Sequence, residues 1–338
     1  MALRMIEVHV PSDRGEQVSQ CLLEAGAEQL WTEQRGEPDR ITVVAVVGAS
    51  ETGAALDLLY ERVAGADGFR AFVHPLDAVL PRPYASSNAE KRAGRAQSAA
   101  GVSREEVYAQ VSDAAALDTP YLAFALLASI VAAIGMTSDN TAAVIGAMVV
   151  APLLGPNMGL ALGLTLGDRE LIRGSARSGI AGFLVAYGAA LVLGIALEAD
   201  LSIAEVAVRT RVTPWDILLG LAAGAACTLA MTTGASASLV GVMVAVALLP
   251  PTVASALLLG DGQLRPAGAA FVLTVVNATS ILLAAMATFL WRGMRPRHWW
   301  KTEAAAESSR RGLVAAAALL AVLAIALAVA QRLAERGA

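Results

Sequence analysis

Charge is scarce in this sequence. Only 16% of its 338 residues are charged, whereas 56% are hydrophobic, and the mean hydropathy is +0.59. A soluble protein of this length carries more charge on its surface, so the composition excludes an ordinary soluble class and indicates a membrane protein. The shortage is uneven, because residues 1–118 mix charged and apolar residues while long stretches after Tyr121 contain no charge.

Cysteine and histidine are also rare, with two and three residues respectively. Cys21 and Cys227 lie in different regions, so we expect no disulfide framework and interpret both as small buried hydrophobic residues. His9 and His74 lack sequence neighbours that would complete a metal site, which favours a structural role and leaves a ligand role open. We therefore expect no metal and no cofactor. The apolar stretches have no His, Cys or Glu in catalytic spacing, and we expect no enzymatic activity.

Residues 1–80 predict a soluble domain of ferredoxin-like fold. Strand patterns at 3–10, 27–33, 41–47 and 69–76 alternate with helical patterns at 12–26 and 51–63, which gives the order βαββαβ. The same residues contain six Arg and 13 Asp or Glu, and this net charge of −7 argues against a nucleic-acid partner, so we expect none. Domains of this fold often bind regulatory small molecules, so a sensor role is a hypothesis by analogy.

Residues 81–118 predict a linker followed by a juxtamembrane helix. Pro, Ser, Ala, Gly and basic residues dominate 81–100. Ser103 and Glu106 have the spacing of a capping box, and Val107, Val111 and Ala115 recur at helical spacing. The helix either lies on the membrane surface or is a solvated connector. The N-terminus has charges where a signal peptide needs an apolar core, so we expect it to stay in the cytoplasm.

Seven apolar stretches are candidates to cross a bilayer. They are residues 121–136, 142–166, 172–197, 215–231, 237–259, 267–291 and 313–330. With the N-terminus inside, the cytoplasmic connections carry 14 Lys and Arg, against five on the other side. This bias predicts a multi-pass protein of the bacterial inner membrane with its C-terminus outside.

Two parts of the apolar region repeat each other at a distance of 95 residues. Residues 126–162 and 221–257 are identical at 13 of 37 positions without a gap. The matches that are hardest to attribute to chance are Met136 with Met231, Thr137 with Thr232, Gly146 with Gly241, Met148 with Met243 and Pro156 with Pro251. Each copy belongs to a unit of three spans, and because three is odd, the second unit is predicted to run inverted relative to the first.

Proline and glycine predict a broken helix in each copy. The predicted breaks are Pro152, Gly155 and Pro156 in the first copy and Pro250 and Pro251 in the second. Proline has no N–H, so a carbonyl freed by the break needs another partner at membrane depth. Broken helices at matching places of inverted repeats mark the binding site in many transporters. We therefore predict a pathway lined by Thr137, Ser138, Asp139, Asn140, Asn157, Thr232, Thr233, Thr252 and Asn277.

A second interpretation of these polar residues is that they only cap helices and pack them together. Asp139 bears on this choice, because its counterpart in the second copy is Gly234. A charge in one copy alone is not a symmetric structural requirement, yet an exposed loop would also tolerate it. The sequence leaves both interpretations open.

Three stretches resemble the prokaryotic membrane family catalogued as domain of unknown function 389. They are SREEVY (103–108), TSDNTAAVIGAMVVAPLLGPNMGLALGLTLGDREL (137–171) and LVGVMVAVALLPPTVASALLLGDG (239–262). The resemblance covers about residues 103–291. It implies an integral membrane protein, often with a soluble extension, and it implies no substrate.

The predicted fold is therefore an α-helical polytopic membrane protein with a cytoplasmic ferredoxin-like domain. Inverted three-helix repeats occupy 119–197 and 214–291, and a further helix occupies 312–331. The predicted function is a transporter or channel-like protein for an unidentified small solute or ion. A membrane-anchored sensor or scaffold that acts through the N-terminal domain is the alternative. The expected partners are the lipid bilayer and, because Gly- and Ala-rich surfaces at 159–167 permit close packing, further copies of the chain.

Overall fold

The computed structural model describes residues 3–34, 39–48, 51–76, 102, 104–196, 202–234 and 237–294, with five further positions from 314 to 325. The predicted linker at 81–100, Ser103 and nearly all of the predicted span at 313–330 lie outside the described residues. The chain divides into two compact units, residues 1–107 with 232–234 and residues 108–231 with 235–338. The predicted domain limits stay predictions.

The first unit contains a four-stranded antiparallel sheet and two helices. In chain order these are β1 (Leu3–Pro11), α1 (Gly15–Glu24), β2 (Gln29–Glu33), β3 (Arg40–Gly48), α2 (Thr52–Val63) and β4 (Arg70–Leu76). The strands lie in the sheet in the order β2-β3-β1-β4, and Ile6 of β1 is opposite Ala45 and Val73. The order of strands and helices along the chain is the predicted one.

One face of the sheet forms the core of this unit. Side chains alternate along a strand, so Ile6, Val8 and Val10 point to the same face, and all three are fully buried. They pack with Cys21 and Leu22 of α1 and with residues of β3 and α2. Each buried Val, Ile or Leu contributes roughly 1.5–3 kcal/mol relative to exposure. Cys21 and Cys227 are both buried thiols, as the sequence predicted.

The second unit is helical. Its helices are the end of α3 (Arg104–Ala114), α4 (Thr119–Thr137), α5 (Thr141–Val150), α6 (Leu154–Leu166), α7 (Arg169–Ala196), the short α8 (Ala204–Ala207), α9 (Pro214–Thr233), α10 (Ala237–Gly260) and α11 (Leu264–Trp291). Among the described residues, five helices are long and apolar enough to cross a membrane, namely α4, α7, α9, α10 and α11. The bent pair α5 and α6 would make a sixth span if it counts as one.

Helix limits recur at the distance at which the sequence recurs. Helices α4 and α9 begin 95 residues apart, and α7 and α11 are both 28 residues long and also lie 95 residues apart. Left-handed backbone conformations recur as well. Asp139 (φ 48°) matches Gly234 (φ 78°), and Gly167 (φ 71°) matches Gly262 (φ 81°). Turns and helix starts therefore fall at equivalent places in both copies.

Helix α10 lies at the centre of the second unit, and 78% of its most apolar stretch is buried. It packs against α11 of its own copy and against α7 of the other, while α11 also packs against α6. Large apolar side chains cover the outer faces. On α7, Ile180, Leu184, Val192 and Ile195 are 61–71% exposed. Such an exposed apolar surface suits contact with lipid rather than water.

Candidate functional site

The first copy is bent at Pro152. Helix α5 ends at Val150 and α6 begins at Leu154, with an angle of 52° between them. Proline disfavours the helical conformation of the residue before it, and Ala151 is extended with ψ 121°. Gly155 and Pro156 lie in the first turn of α6, where a backbone N–H has no intrahelical partner to lose. The predicted break at these two residues is wrong, because they begin the next helix.

The second copy is not broken. Helix α10 continues through Pro250 and Pro251, so the predicted break at these prolines is wrong. Ala247 stands where the first copy has Pro152, and it keeps its N–H. The Ala247 carbonyl would normally accept from the N–H that Pro251 lacks, and instead it accepts a hydrogen bond from Asn277 Nδ2 at 2.7 Å. In the first copy, the position of Asn277 is held by Gly182, which offers no such donor.

A cavity of about 340 Å³ lies beside the bend. It is lined by Tyr121, Leu153, Pro156, Asn157, Leu160, Ala176, Gly179, Ile180, Phe183, Ala186, Leu248, Leu249, Thr252, Thr274, Ala278 and Leu282. Four pairs of these residues are separated by 95 positions: Leu153 and Leu248, Asn157 and Thr252, Gly179 and Thr274, Phe183 and Ala278. The two copies therefore contribute equivalent positions to one cavity. The lining residues of α7 and α11 lie near the middle of these 28-residue helices.

The polar groups of the cavity are also paired between the copies. Asn157 Nδ2 donates to the Leu153 carbonyl and Thr252 Oγ1 donates to the Leu248 carbonyl, both at 2.7 Å. These donors and acceptors are equivalent at a distance of 95 residues. Thr274 Oγ1 lies 3.5 Å from Thr252 Oγ1. All lining residues are uncharged, so the cavity has the character of a site for a small neutral molecule with an apolar body.

Four predicted pathway residues lie at the end of α4 and in the turn that leads to α5, and they are not among those that line the cavity. Thr137 Oγ1 donates to the Ala133 carbonyl at 3.0 Å, and Ser138 is exposed. Asn140 Oδ1 accepts from the Ala143 N–H at 3.1 Å and so caps the start of α5. The contact of Asn140 is that of a helix cap, as the second interpretation expects, and the contact of Thr137 stays within its own helix.

Asp139 has a conformational role in the same turn. Its φ of 48° lies in the left-handed region, which Gly, Asn and Asp adopt more readily than other residues. Gly234 adopts the same conformation at the equivalent turn. The exposed Asp139 carboxylate accepts from the Glu205 N–H at 3.4 Å. A requirement for a left-handed turn residue thus accounts for the exchange of Asp and Gly between the copies.

The remaining predicted residues have different surroundings. Thr252 and Asn157 line the cavity, whereas Asn277 supports α10 as described above and its Oδ1 is buried without a hydrogen-bond partner among the described residues. The carbonyl of Thr232 accepts from the Val102 N–H at 3.0 Å, and Thr233 is exposed near the end of α9. Sequence reasoning missed Gly179, Phe183 and Thr274, although the 95-residue repeat extended to the third helices would have paired two of them with each other.

The end of α3 packs against the start of α6, close to the bend. A side chain at Gly155 would collide with the Ala114 carbonyl, and one at Gly159 would collide with Ser175 and Ala115. Val111 and Ala115 are buried, as their helical spacing predicted. Tyr108 donates to Asp168 Oδ2 at 2.8 Å. Burial, together with this hydrogen bond, raises the pKa of Tyr108 above its ordinary value.

The two histidines of the first unit lie on the face of the sheet opposite its core. His9 Nε2 lies 2.9 Å from Glu7 Oε1, and His74 Nε2 lies 3.8 Å from Glu7 Oε2. His9 also contacts Phe72 edge-to-face, with ring centroids 5.4 Å apart. No group of three or more His, Cys, Asp or Glu within the described ranges could hold a metal ion.

Comparisons with known proteins place the chain in a family. The family described as Domain of unknown function (DUF389) matches residues 148–283. A protein of Methanocaldococcus jannaschii, named Uncharacterized protein MJ0678, is 30% identical over 305 residues, which cover 90% of this chain and 92% of the relative. The chain belongs to the DUF389 family. The resemblance drawn from the sequence motifs is thereby confirmed. No solved structure matches the chain.

The DUF389 match contains the whole candidate site apart from one residue. It begins just before the bend at Pro152, includes both prolines of α10 and ends within α11. Of the residues that line the cavity, only Tyr121 lies outside it. The relative is archaeal, and the bacterial inner membrane stays a prediction. The chain thus has the apolar helices of a membrane protein and belongs to a family whose function is unknown.

Proposed function

We propose that this DUF389 protein is a membrane transporter or channel-like protein that takes a small uncharged solute into the cavity between its two copies. The observation that carries the proposal is the paired lining of the cavity, in which Asn157 and Thr252 occupy equivalent positions and make equivalent hydrogen bonds. A site built from equivalent residues of two repeats near the middle of the spans is the common plan of secondary transporters.

Contacts between α7 and α10 support an inverted arrangement. Tyr187 Oη lies 3.1 Å from Ser255 Oγ, Gly194 packs on the Leu257 carbonyl, and Gly260 packs on the Leu191 carbonyl and the backbone of Gly194. Gly194 follows Tyr187 by about two turns of α7, and its contact Gly260 follows Ser255 by more than one turn of α10. Between these two contacts the residue numbers rise on both helices, so the two helices run in the same direction. Helix α7 is the third span of its copy and α10 the second of the other. They run in the same direction only if the second copy is inverted.

The composition of the cavity favours a neutral solute over an ion. An ion at membrane depth needs opposite charge or several converging oxygen ligands. The cavity offers amide and hydroxyl groups from Asn157, Thr252 and Thr274, while its other walls are mostly aliphatic. A volume of about 340 Å³ lies at the lower end of the range of small-molecule sites.

The proposal extends to the surroundings of the site. We assign the first unit as a ferredoxin-like domain, because its elements follow the order βαββαβ and its strands the order β2-β3-β1-β4. We propose that this domain has a regulatory or assembly role. We further propose that the N-terminus is cytoplasmic and the C-terminus outside. In this proposal the protein is a homo-oligomer in the bilayer and catalyses no reaction.

Filling the cavity tests the function. Gly179 lines it, and a Cβ at this position would already make a tight contact of 3.3 Å with Pro156 Cβ, whereas Gly188 on the same helix has no atom within 4 Å of such a Cβ. Gly179→Leu is therefore expected to reduce solute flux at least tenfold, and Gly188→Leu is the matched control that leaves it unchanged. Flux is measured by osmotic swelling of proteoliposomes with a panel of neutral solutes and ions.

Two outcomes of this experiment would overturn the proposal. In the first, wild-type proteoliposomes pass none of the solutes faster than empty liposomes. In the second, Gly179→Leu and Gly188→Leu pass them equally well. Flux of ions alone would contradict the neutral-solute assignment and leave the transport role standing.

The open face of the sheet in the first unit favours the sensor or scaffold as a second candidate. Trp31 and Phe72 are 38% and 43% exposed there, and Phe72 packs beside His9. Buried Cys21 and Cys227 distinguish the two candidates, because each unit contains one of them. The protein is heated with a thiol-reactive dye, and each buried cysteine reacts when its unit unfolds. A ligand of the first unit would raise the temperature at which Cys21 reacts, and a ligand of the cavity would raise the temperature at which Cys227 reacts. Cys21→Ala and Cys227→Ala variants separate the two signals.

A further inference from the structure

The exposed face of α7 changes from basic to apolar along its length. Arg169, Arg173 and Arg177 are four residues apart, so their side chains follow one face of the helix. All three are exposed. The same face continues with Ile180 and Leu184, which are 61% and 62% exposed.

The length of the apolar part sets the depth of the arginines. Eighteen residues separate Arg177 from Ile195, and at 1.5 Å per residue they span about 27 Å. This length approaches the hydrocarbon core of a bilayer, which is about 30 Å thick. With the apolar face in the core, the arginines lie at the level of the lipid headgroups.

The arginines form a groove with an excess of positive charge. Arg169, Glu170, Arg173, Gly174 and Arg177 line a shallow groove of about 480 Å³. Within the described part of the chain, none of the three guanidinium groups has an ion pair or hydrogen bond, and Glu170 contributes the one carboxylate of the lining.

The start of α7 is already occupied by a side chain of the protein. Asp168 Oδ1 accepts from the N–H groups of Glu170 and Leu171 at 2.9 and 3.1 Å. An anion in the groove would therefore bind the guanidinium groups rather than the free amides of the helix start.

The equivalent helix of the second copy shows that packing does not require these arginines. Leu264, Gly268 and Val272 of α11 stand at the positions of Arg169, Arg173 and Arg177. Both helices are 28 residues long and lie at equivalent places in their copies. The orientation proposed above places these three cations on the cytoplasmic side of the bilayer, where a membrane presents its anionic phospholipids.

We propose that Arg169, Arg173 and Arg177 bind the phosphodiester headgroup of an anionic phospholipid whose chains lie along Ile180 and Leu184. Guanidinium groups bind phosphate oxygens with paired hydrogen bonds, and the adjoining apolar face accepts the acyl chains. The headgroup of a phospholipid contacts the basic part of this helix face and its acyl chains contact the apolar part. Free phosphate contacts the basic part alone. This site shares Ile180 with the lining of the cavity, whereas its arginines lie outside the cavity, and its test does not depend on the transport role.

Native mass spectrometry of the full-length protein in detergent tests the site. The protein is titrated with phosphatidylglycerol, which is anionic, and separately with phosphatidylcholine, which is zwitterionic. One basic residue near an anionic membrane surface changes affinity about fivefold, so Arg173→Gln should weaken phosphatidylglycerol binding about fivefold. The triple variant R169Q/R173Q/R177Q should bind both lipids alike. Arg173→Lys keeps the charge and should retain most of the preference.

Arg265→Gln is the matched control, because Arg265 is an exposed arginine at the start of the equivalent helix α11. It should leave the preference unchanged. Equal binding of both lipids by the wild type, or a preference that survives in R169Q/R173Q/R177Q, would overturn the proposal. If inorganic phosphate at millimolar concentration displaces the lipid from the wild type but not from the triple variant, the site binds free phosphate and the lipid assignment is wrong. If the triple variant does not fold, the affinities of Arg173→Gln and Arg173→Lys for phosphatidylglycerol are compared. Weaker binding by Arg173→Gln supports the proposal, and equal binding by the two variants overturns it.

Discussion

The two copies of the three-helix unit share their helix limits and differ in their second helix. In the first copy the chain bends by 52° at Pro152, whereas in the second one helix continues through two adjacent prolines. The number of prolines therefore does not determine whether a membrane helix breaks. The position of the proline and the supply of a substitute donor for the freed carbonyl decide the outcome.

Two exchanges between the copies explain the difference. Ala247 replaces Pro152, so residue 246 is free to stay helical. Asn277 replaces Gly182, and its amide satisfies the Ala247 carbonyl from the neighbouring helix. Helix-breaking residues are tolerated at membrane depth when neighbouring side chains restore the lost hydrogen bonds.

The largest expected effect comes from giving the second copy the proline of the first. Ala247→Pro removes a backbone donor within a buried helix and should cost about 3 kcal/mol or more. Unfolding of the second unit is measured by the reaction of buried Cys227 with a thiol-reactive dye on heating, in a Cys21→Ala background. We expect a large fall in the temperature at which Cys227 reacts.

The reciprocal change is Pro152→Ala. It removes a constraint rather than a bond, so stability should change by less than about 1 kcal/mol. If Ala247→Pro and Pro152→Ala had equal effects, the two positions would be equivalent and our account of the bend would be wrong.

A smaller effect is expected from removing the substitute donor. Asn277→Ala leaves the Ala247 carbonyl unpaired in a buried place, which costs about 1 to 3 kcal/mol. Because Asn277 Oδ1 has no partner among the described residues, its removal offsets part of this cost, and we expect the lower half of the range. The same dye measurement checks the result.

Thr288→Val is the control for this variant. Thr288 is also buried on α11, and its hydroxyl donates at 2.7 Å to Ala284 of its own helix. Loss of that bond should have less effect than Asn277→Ala. An equal or larger loss for Thr288→Val would mean that Asn277 has no special role in supporting α10.

The smallest effect is expected from Asp139→Gly, at the turn where the second copy carries Gly234. Asp139→Gly copies the second copy and should change stability by less than about 0.5 kcal/mol. Asp139→Val places a β-branched residue in the left-handed region and should cost about 1–3 kcal/mol. Solute flux should be the same in Asp139→Gly and in the wild type. A loss of flux in Asp139→Gly would mean that the Asp139 carboxylate takes part in transport.

Local patterns predicted the elements of the fold well. Alternation along β1 and the β-branched run of β3 indicated strands, and the apolar stretches indicated α4, α7, α9, α10 and α11 to within a few residues at most ends. Tertiary contacts, in contrast, decided the helix breaks. The amide of Asn277 lies 30 residues from Ala247 along the chain, and no pattern in the prolines themselves indicates that it is there.

The candidate site was predicted in part for a similar reason. Asn157 and Thr252 follow the repeated proline, and this proximity in sequence identified them before the cavity was known. The polar run Thr137–Asn140 stood out more strongly, yet its side chains cap helix ends and form a turn. Polarity within an apolar sequence marks a cap as readily as a binding group, and only the position along the span separates the two.

The contact between α3 and α6 limits how the bend at Pro152 can change. Gly155 and Gly159 lie so close to Ala114 and Ala115 that not even a methyl group fits without displacement. The start of α6 therefore meets a steric stop on that side and cannot move closer to α3. Any widening of the cavity at this place has to avoid that direction, a limit set by two missing side chains.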